Sequence, residues 1–205
     1  LLEVGLIERL PKILGVQSEH ADPVYRYYQQ PDRAKRVFRA VTVKPSVAQA
    51  AMIGNPVSMP RVIRLVEAYE QAGGRPGVFV AQVSEQEIMD CQLIANRHGH
   101  IACTQGGECL AGLRRALREG IVGAKEVGVL DATAHALKFA GFQDNYFSDS
   151  LDVAYGIVPQ PELRNQPVLV KAQGVKRFPT SEKPLPPDEF KNFVEATAKE
   201  IARQL

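Results

Sequence analysis

The chain has 205 residues, 45% of them apolar and 23% charged, with a formal net charge of +2 at pH 7. That length is enough for one domain with a proper core, or for one and a half, and the composition is that of an ordinary globular chain. The near-neutral balance excludes an electrostatic footprint for nucleic acid or an anionic membrane, and no apolar run is long enough to span a bilayer.

Three cysteines, Cys91, Cys103 and Cys109, are odd in number and show no Cys-x-x-Cys spacing. This argues against a disulfide scaffold or zinc site and fits a reducing, cytoplasmic compartment. The sequence opens without Met, inside an amphipathic pattern of Leu2, Leu6 and Leu10, which predicts the tail of a helix ended by Pro11. Neither the basic start nor the small-residue cleavage site of a signal peptide is present, and the opening reads as the later part of something longer.

Ile13 to Gln17 is a short apolar run of the buried-strand kind. Ala21 to Gln30 predicts a helix with Pro23 in its first turn, carrying Tyr25, Tyr27 and Tyr28. Pro31 to Val43 is basic and reads as a mobile, solvated segment. Ser46 to Met52 is weakly helical and runs into Gly54-Asn55-Pro56, a tight turn in which Gly and Asn tolerate positive φ. A helix then starts with Ser58 as N-cap. Its buried face is Val62, Leu65, Val66 and Tyr69, and Gly73-Gly74 closes it.

Val78 to Val83 predicts a second strand, and Ser84 with Glu87 a capping box opening a helix to about Arg97. His98-Gly99-His100 reads as a helix C-cap before it reads as a metal pair. Ile101 to Thr104 predicts a third strand. Gly106-Gly107-Glu108 then opens a helix whose buried face is Leu110, Leu113 and Leu117. The Gly pair leaves helix N-terminal amides bare, which suits an anion or a close-lying ligand, although neither a dinucleotide nor a Walker fingerprint is present.

Glu126 to Phe139 carries the most information. Val127, Val129 and Leu130 read as a buried strand that meets Ala132, Thr133 and Ala134. Open α/β sheets bind ligands beyond the carboxyl ends of their strands, so Thr133 is a candidate ligand contact; its plainer reading is a cap for the next helix. Beyond Phe139, Asp144 to Asp152 reads as a turn-rich connection, Val168 to Ala172 as an edge strand and Phe178 to Pro187 as a Pro-rich linker. Asp188 to Leu205 is an amphipathic helix with Phe190, Phe193, Val194, Thr197, Ile201 and Leu205 on one face. The order gives an α/β class, with βαβ units and a parallel sheet. The pattern loosens after Phe139, so residues 1–141 are expected as one part and residues 142–205 as a C-terminal extension with a linker and terminal helix. No Ser/His/Asp triad or paired-carboxylate site is legible.

Three segments in order, Leu10-Pro11-Lys12-Ile13-Leu14-Gly15-Val16-Gln17, Ile53-Gly54-Asn55-Pro56-Val57-Ser58 and Thr133-Ala134-His135-Ala136-Leu137-Lys138, together resemble the second half of threonine synthases. These are pyridoxal phosphate enzymes of the tryptophan-synthase-β fold type (fold type II). The resemblance covers roughly residues 1–140 and is not followed beyond Ala140. It implies conversion of O-phosphohomoserine and water to threonine and phosphate, a carbon–oxygen lyase activity. It also implies that Thr133 hydrogen-bonds the pyridine nitrogen of the cofactor, that Ala50 is the small side chain against one ring face, and that Gly54 and Asn55 shape the turn behind it. The family's Schiff-base lysine, its asparagine beside the cofactor hydroxyl and its phosphate loop all precede the matched part. The isolated chain is therefore expected to be inactive, with the preceding portion as its partner and room for a homodimer. Cys103 stands where a carboxylate followed by Pro is common, and Ala-His-Ala where Gly-His-Gly is usual. Two alternatives stay open. One is another β-replacing or eliminating pyridoxal phosphate enzyme. The other is a non-catalytic binding module using Tyr25, Tyr27, Tyr28 and the basic stretch near Arg36.

Overall fold

The computed structural model describes residues 1–164 and 169–204. Contacts divide the chain into two units, Leu1–Asn165 and Gln166–Leu205.

The first unit is built on two strands, β1 (Ile13–Ser18) and β2 (Val78–Val83), paired in parallel with Ile13 opposite Val78 and Ser18 opposite Val83. Both were legible as apolar runs, although only Ser18 of β1 and Ala81 and Val83 of β2 are buried. Four helices follow the expected order: α1 (Pro23–Gln29), α2 (Met59–Gly73), α3 (Glu85–Arg97) and α4 (Thr104–Arg118). The predicted capping box forms, with Glu87 N–H donating to Ser84 Oγ and Ser84 N–H to Glu87 Oε2. Gly74, at φ 64°, closes α2 as predicted.

The core lies where α3, α4 and the strands meet and includes Val47, Val83, Ile88, Met89, Ala111 and Tyr146. The predicted leucine stripe of α4 is borne out in part: Leu110 packs against this core and Leu113 is half-buried. Leu117 is 44% exposed, while Gly107, Ala111, Gly112 and Ala116 are buried. Small residues let the helix axis approach its neighbours: a Cβ on Gly112 would stand 2.3 Å from Val16 Cγ2. On α2, Leu65 is likewise 62% exposed, so the buried stripe on that helix is narrower than its sequence period.

Several predicted elements do not form. Residues 1–10 make turns instead of a helix, with Leu1, Val4 and Leu6 exposed, because a short helix without packing is marginal. The third strand reduces to one antiparallel bridge between Ala102 and His135. Val127 and Val129 are about nine-tenths exposed, so the run at Glu126–Leu130 is no buried strand. β1 and β2 bond each other, and the run instead lies along α4, where Gly128 meets Leu113. Residues 144–147 are not a turn but part of α5 (Ala140–Phe147). Tyr146 is fully buried there, donating to Asp90 Oδ1 and accepting from Gln160 N–H. The basic stretch is held at several points: Arg33 pairs with Glu70, and Arg36 lies 5.0 Å from the Tyr28 ring centroid while its Nε donates to Gln30 O.

The second unit carries α6 (Pro187–Gln204), the predicted terminal helix, with Phe193 packed edge-on against Phe178 and stacked on Phe190. The predicted edge strand begins at Val168, outside the described residues, and residues 169–172 carry no strand. Leu205, the last residue of the predicted helical face, also lies outside them.

Candidate functional site

Thr133 is exposed, and it sits on a turn and not at a strand end. Its φ of 22° lies in the left-handed region, which β-branched residues rarely enter, so neighbouring structure must hold it there. Thr133 N–H donates to Asp131 Oδ1 (3.1 Å), Ala134 N–H to Ala132 O (2.5 Å), Cys103 N–H to Ala134 O (3.2 Å) and Ala136 N–H to Ile101 O (3.2 Å). Thr133 does not cap the following 3-10 segment, Ala136–Phe139; His135 does, its Nδ1 accepting from Leu137 N–H. Among the described residues, the Thr133 hydroxyl has one polar neighbour, Cys103 Sγ at 3.9 Å.

That turn rests on the N-terminus of α4, whose first residues, Thr104 to Glu108, are all buried. Cys103, the N-cap residue, makes no side-chain bond to the first-turn amides. Thr104 Oγ1 donates to Gln105 Oε1 at 3.3 Å, which holds the Gln105 amide at this end of the helix. Gln105 Nε2 and Glu108 Oε1 are buried with no partner among the described residues. Buried polar atoms without partners are uncommon in folded proteins and call for an explanation at each place. The sequence hinted at this end of α4 through its glycine pair, but nothing in its spacing singled out Gln105 or Glu108.

Ala50 is exposed on the 3-10 turn Gln49–Ala51, which packs against α4. Thr133 and Ala50 therefore both stand beside α4. Among the described residues no hydrogen bond joins Gly54 or Asn55 to the Thr133 turn. Neither has positive φ, contrary to expectation. Gly54 is required by close approach, since a Cβ there would stand 2.2 Å from Val41 O, whose own N–H donates to Gly54 O.

A buried carboxylate that the sequence did not flag fixes the approach to Ala50. Glu85, 1% exposed, accepts from Ser18 Oγ and from Val47 N–H (2.6 Å), tying the end of β1 and the start of α3 to the segment before Ala50. Glu108 is close enough to feel it. Burial, and secondarily the charge of Glu85, push the Glu108 carboxyl up from 4.5 to about 7, against a stabilising bond from the Ser18 backbone.

The folded state thus holds the Glu108 proton more tightly than the unfolded state. Stability is fully present below about pH 4.5 and falls as pH rises to about 7, by an amount on the order of 3 kcal/mol. Urea midpoints measured between pH 5 and 8 should fall with pH in the native protein and flatten in Glu108→Gln. An unchanged slope in that variant would place the titration elsewhere.

No family model matches the chain. Curated relatives do. The chain is 31% identical over 172 residues to threonine synthase 2, chloroplastic, of Arabidopsis thaliana, covering 83% of this chain and 30% of that protein. It is 32% identical over 135 residues to the threonine synthase of Methanocaldococcus jannaschii, covering 65% of this chain and 31% of that protein. This chain is related to the threonine synthases. The threonine synthase of Methanosarcina acetivorans adds a match at 29% identity over 139 residues. The chain spans about 30% of the length of the curated relatives it matches. A 172-residue match within 205 residues also runs past Ala140, so the likeness to the plant threonine synthase extends further than the three motifs did.

Proposed function

We propose that the chain is the C-terminal portion of a threonine synthase and carries part of a pyridoxal phosphate site of fold type II. The reaction of the whole enzyme would convert O-phosphohomoserine and water to threonine and phosphate. The observation that carries this reading is the Thr133 turn: an exposed hydroxyl, without a strong partner, held in a rare backbone conformation at a buried helix N-terminus.

The residues fit the cofactor. When bound, pyridoxal phosphate supplies an electron sink next to the substrate amine. Thr133 Oγ1 would donate to its ring nitrogen, leaving that nitrogen neutral. Ala50 would offer a small side chain to one ring face. The unpartnered Gln105 amide and the uncapped first turn of α4 would offer further donors to the cofactor. Gly54 and Asn55 would act at one remove, by fixing the turn that follows Ala50. No lysine of this chain is nominated as the covalent anchor. The reading therefore places that amine in a preceding portion, as partner, and holds the chain by itself to be inactive. Among the described residues no helix is long and apolar enough to cross a membrane. The three free thiols support a reducing, cytoplasmic setting.

The test is an absorbance titration, with pyridoxal phosphate, of the chain joined to the preceding portion that this reading assigns to it. Saturable binding is expected, weakened about 3- to 10-fold in Thr133→Val, the effect of one neutral hydrogen bond. Equal affinity in the variant would remove Thr133 from the site. Absence of saturable binding at millimolar cofactor would remove the cofactor reading.

A further inference from the structure

The Thr133 turn does not simply lie near α4; it runs down one strip of it. Residues 128 to 133 descend the helix antiparallel, with Gly128 against Leu113, Asp131 against Cys109, Ala132 against Gly106 and Thr133 against Cys103. Cys103, Gly106 and Cys109 recur every three residues and so share a helix face. Gly106 lies against Ala132, where a Cβ would make an ordinary contact with Ala132 Cα at 3.6 Å, and its tight neighbour is Ala102, whose Cβ would stand 2.8 Å away. On either side of Gly106 a thiol faces a carbonyl. Cys109 Sγ is 3.3 Å from Asp131 O, and Cys103 Sγ is 3.9 Å from Ala132 O and from Thr133 Oγ1.

We propose that Cys103 and Cys109 are positioning residues, their thiols donating to the Ala132 and Asp131 carbonyls and so holding Thr133 in its left-handed conformation. The importance of that conformation rests on the cofactor role given to Thr133 above. Each S–H bond is weak alone. Their effect comes from place: they act on the two carbonyls before a residue that would otherwise relax to an ordinary φ. Sulfur suits the gap, since a serine oxygen on its shorter arm would fall short of both carbonyls unless the turn moved inward. Burial first, then the charges of Glu108 and Asp131, push the Cys109 thiol up to about 11, so it keeps the proton it donates. The sequence offered these cysteines only as an odd count without a motif.

The experiment uses the chain without cofactor, by amide hydrogen exchange and by the backbone and Cβ chemical shifts of Thr133. In Cys103→Ala and Cys109→Ala, the Cys103, Thr133, Ala134 and Ala136 amides should exchange about 10-fold faster, with the Thr133 shifts moving toward ordinary extended values. Amides of α3 should keep their native rates. Cys109→Ser, which retains a donor, should fall between native and alanine. Unchanged Thr133 shifts in both alanine variants would overturn the proposal. So would a uniform rise over α3 and α4, the mark of lost packing alone. The titration with Thr133→Val judges the cofactor reading separately. If that variant weakens pyridoxal phosphate binding and Cys103→Ala does not, the positioning role fails while the cofactor role stands.

Discussion

Glu85→Ala is expected to lose about 3 to 4 kcal/mol of folding stability, a large share of the total for a domain of this size. The carboxylate is 1% exposed and accepts from Ser18 Oγ and from Val47 N–H. Removing it leaves a buried hydroxyl and a buried amide without an acceptor, and each such orphan costs about 1 to 3 kcal/mol. It also removes a negative charge from the first turn of α3, where the helix dipole favours one. His20 Nδ1 donates to Pro45 O and Lys44 N–H to His20 O, so residues 44–48 would stay near β1 but lose their tie to α3. Glu85→Gln keeps one acceptor and should lose roughly half as much. Equilibrium urea unfolding measures both. A Glu85→Ala midpoint within experimental error of the native value would mean that this carboxylate is not what ties the segment down.

Gly107→Ala is expected to cost about 2 to 4 kcal/mol, despite the better helix propensity of alanine. Gly107 lies where α4 crosses α3, and a Cβ there would stand 2.4 Å from Ile88 O, 2.8 Å from Gln92 Cβ and 2.9 Å from Gln92 N. Two of those atoms are backbone in the middle of a helix, so rotating a side chain cannot relieve the clash. The helices must separate, and the Thr133 turn that rests on α4 would move with them. Gly141→Ala is the control. It lies in α5 with nothing within 4 Å of its built Cβ, so the same substitution should stabilise by about 0.5 to 1 kcal/mol. Thermal unfolding of the pair decides the matter. Similar melting temperatures would show that the α3–α4 crossing is looser than its geometry.

The elements read correctly are those whose signal is local. β1 and β2 are apolar runs with β-branched residues, α3 carries its capping box in four consecutive residues, and α2 ends where Gly74 takes a positive φ. Thr133 was found as a candidate for the wrong local reason. It does not end a buried strand, and Val127 and Val129 before it are exposed. The leucine period on α4 misled only in part, since Leu110 packs on the core while Leu117 is exposed. Helical spacing shows which residues share a face, but a face of glycine and alanine can lie deeper than one of leucine when the helix must come close.

By itself, then, the sequence determined the class of the chain, the places of β1, β2 and the larger helices, and its likeness to threonine synthases. These depend on composition, period and capping residues within a few positions of one another. Tertiary structure alone decided what surrounds the candidate site: that Glu85 joins β1 to the segment before Ala50, that Gly54 is needed against Val41, and that Cys103, Gly106 and Cys109 carry the Thr133 turn. Glu85 and Val47 are 38 residues apart, and Cys109 and Asp131 are 22 apart. Contacts at such separations leave no period in the sequence. They exist only once burial has brought the chain together, and burial is also what makes an unmatched carboxylate or amide expensive enough to matter.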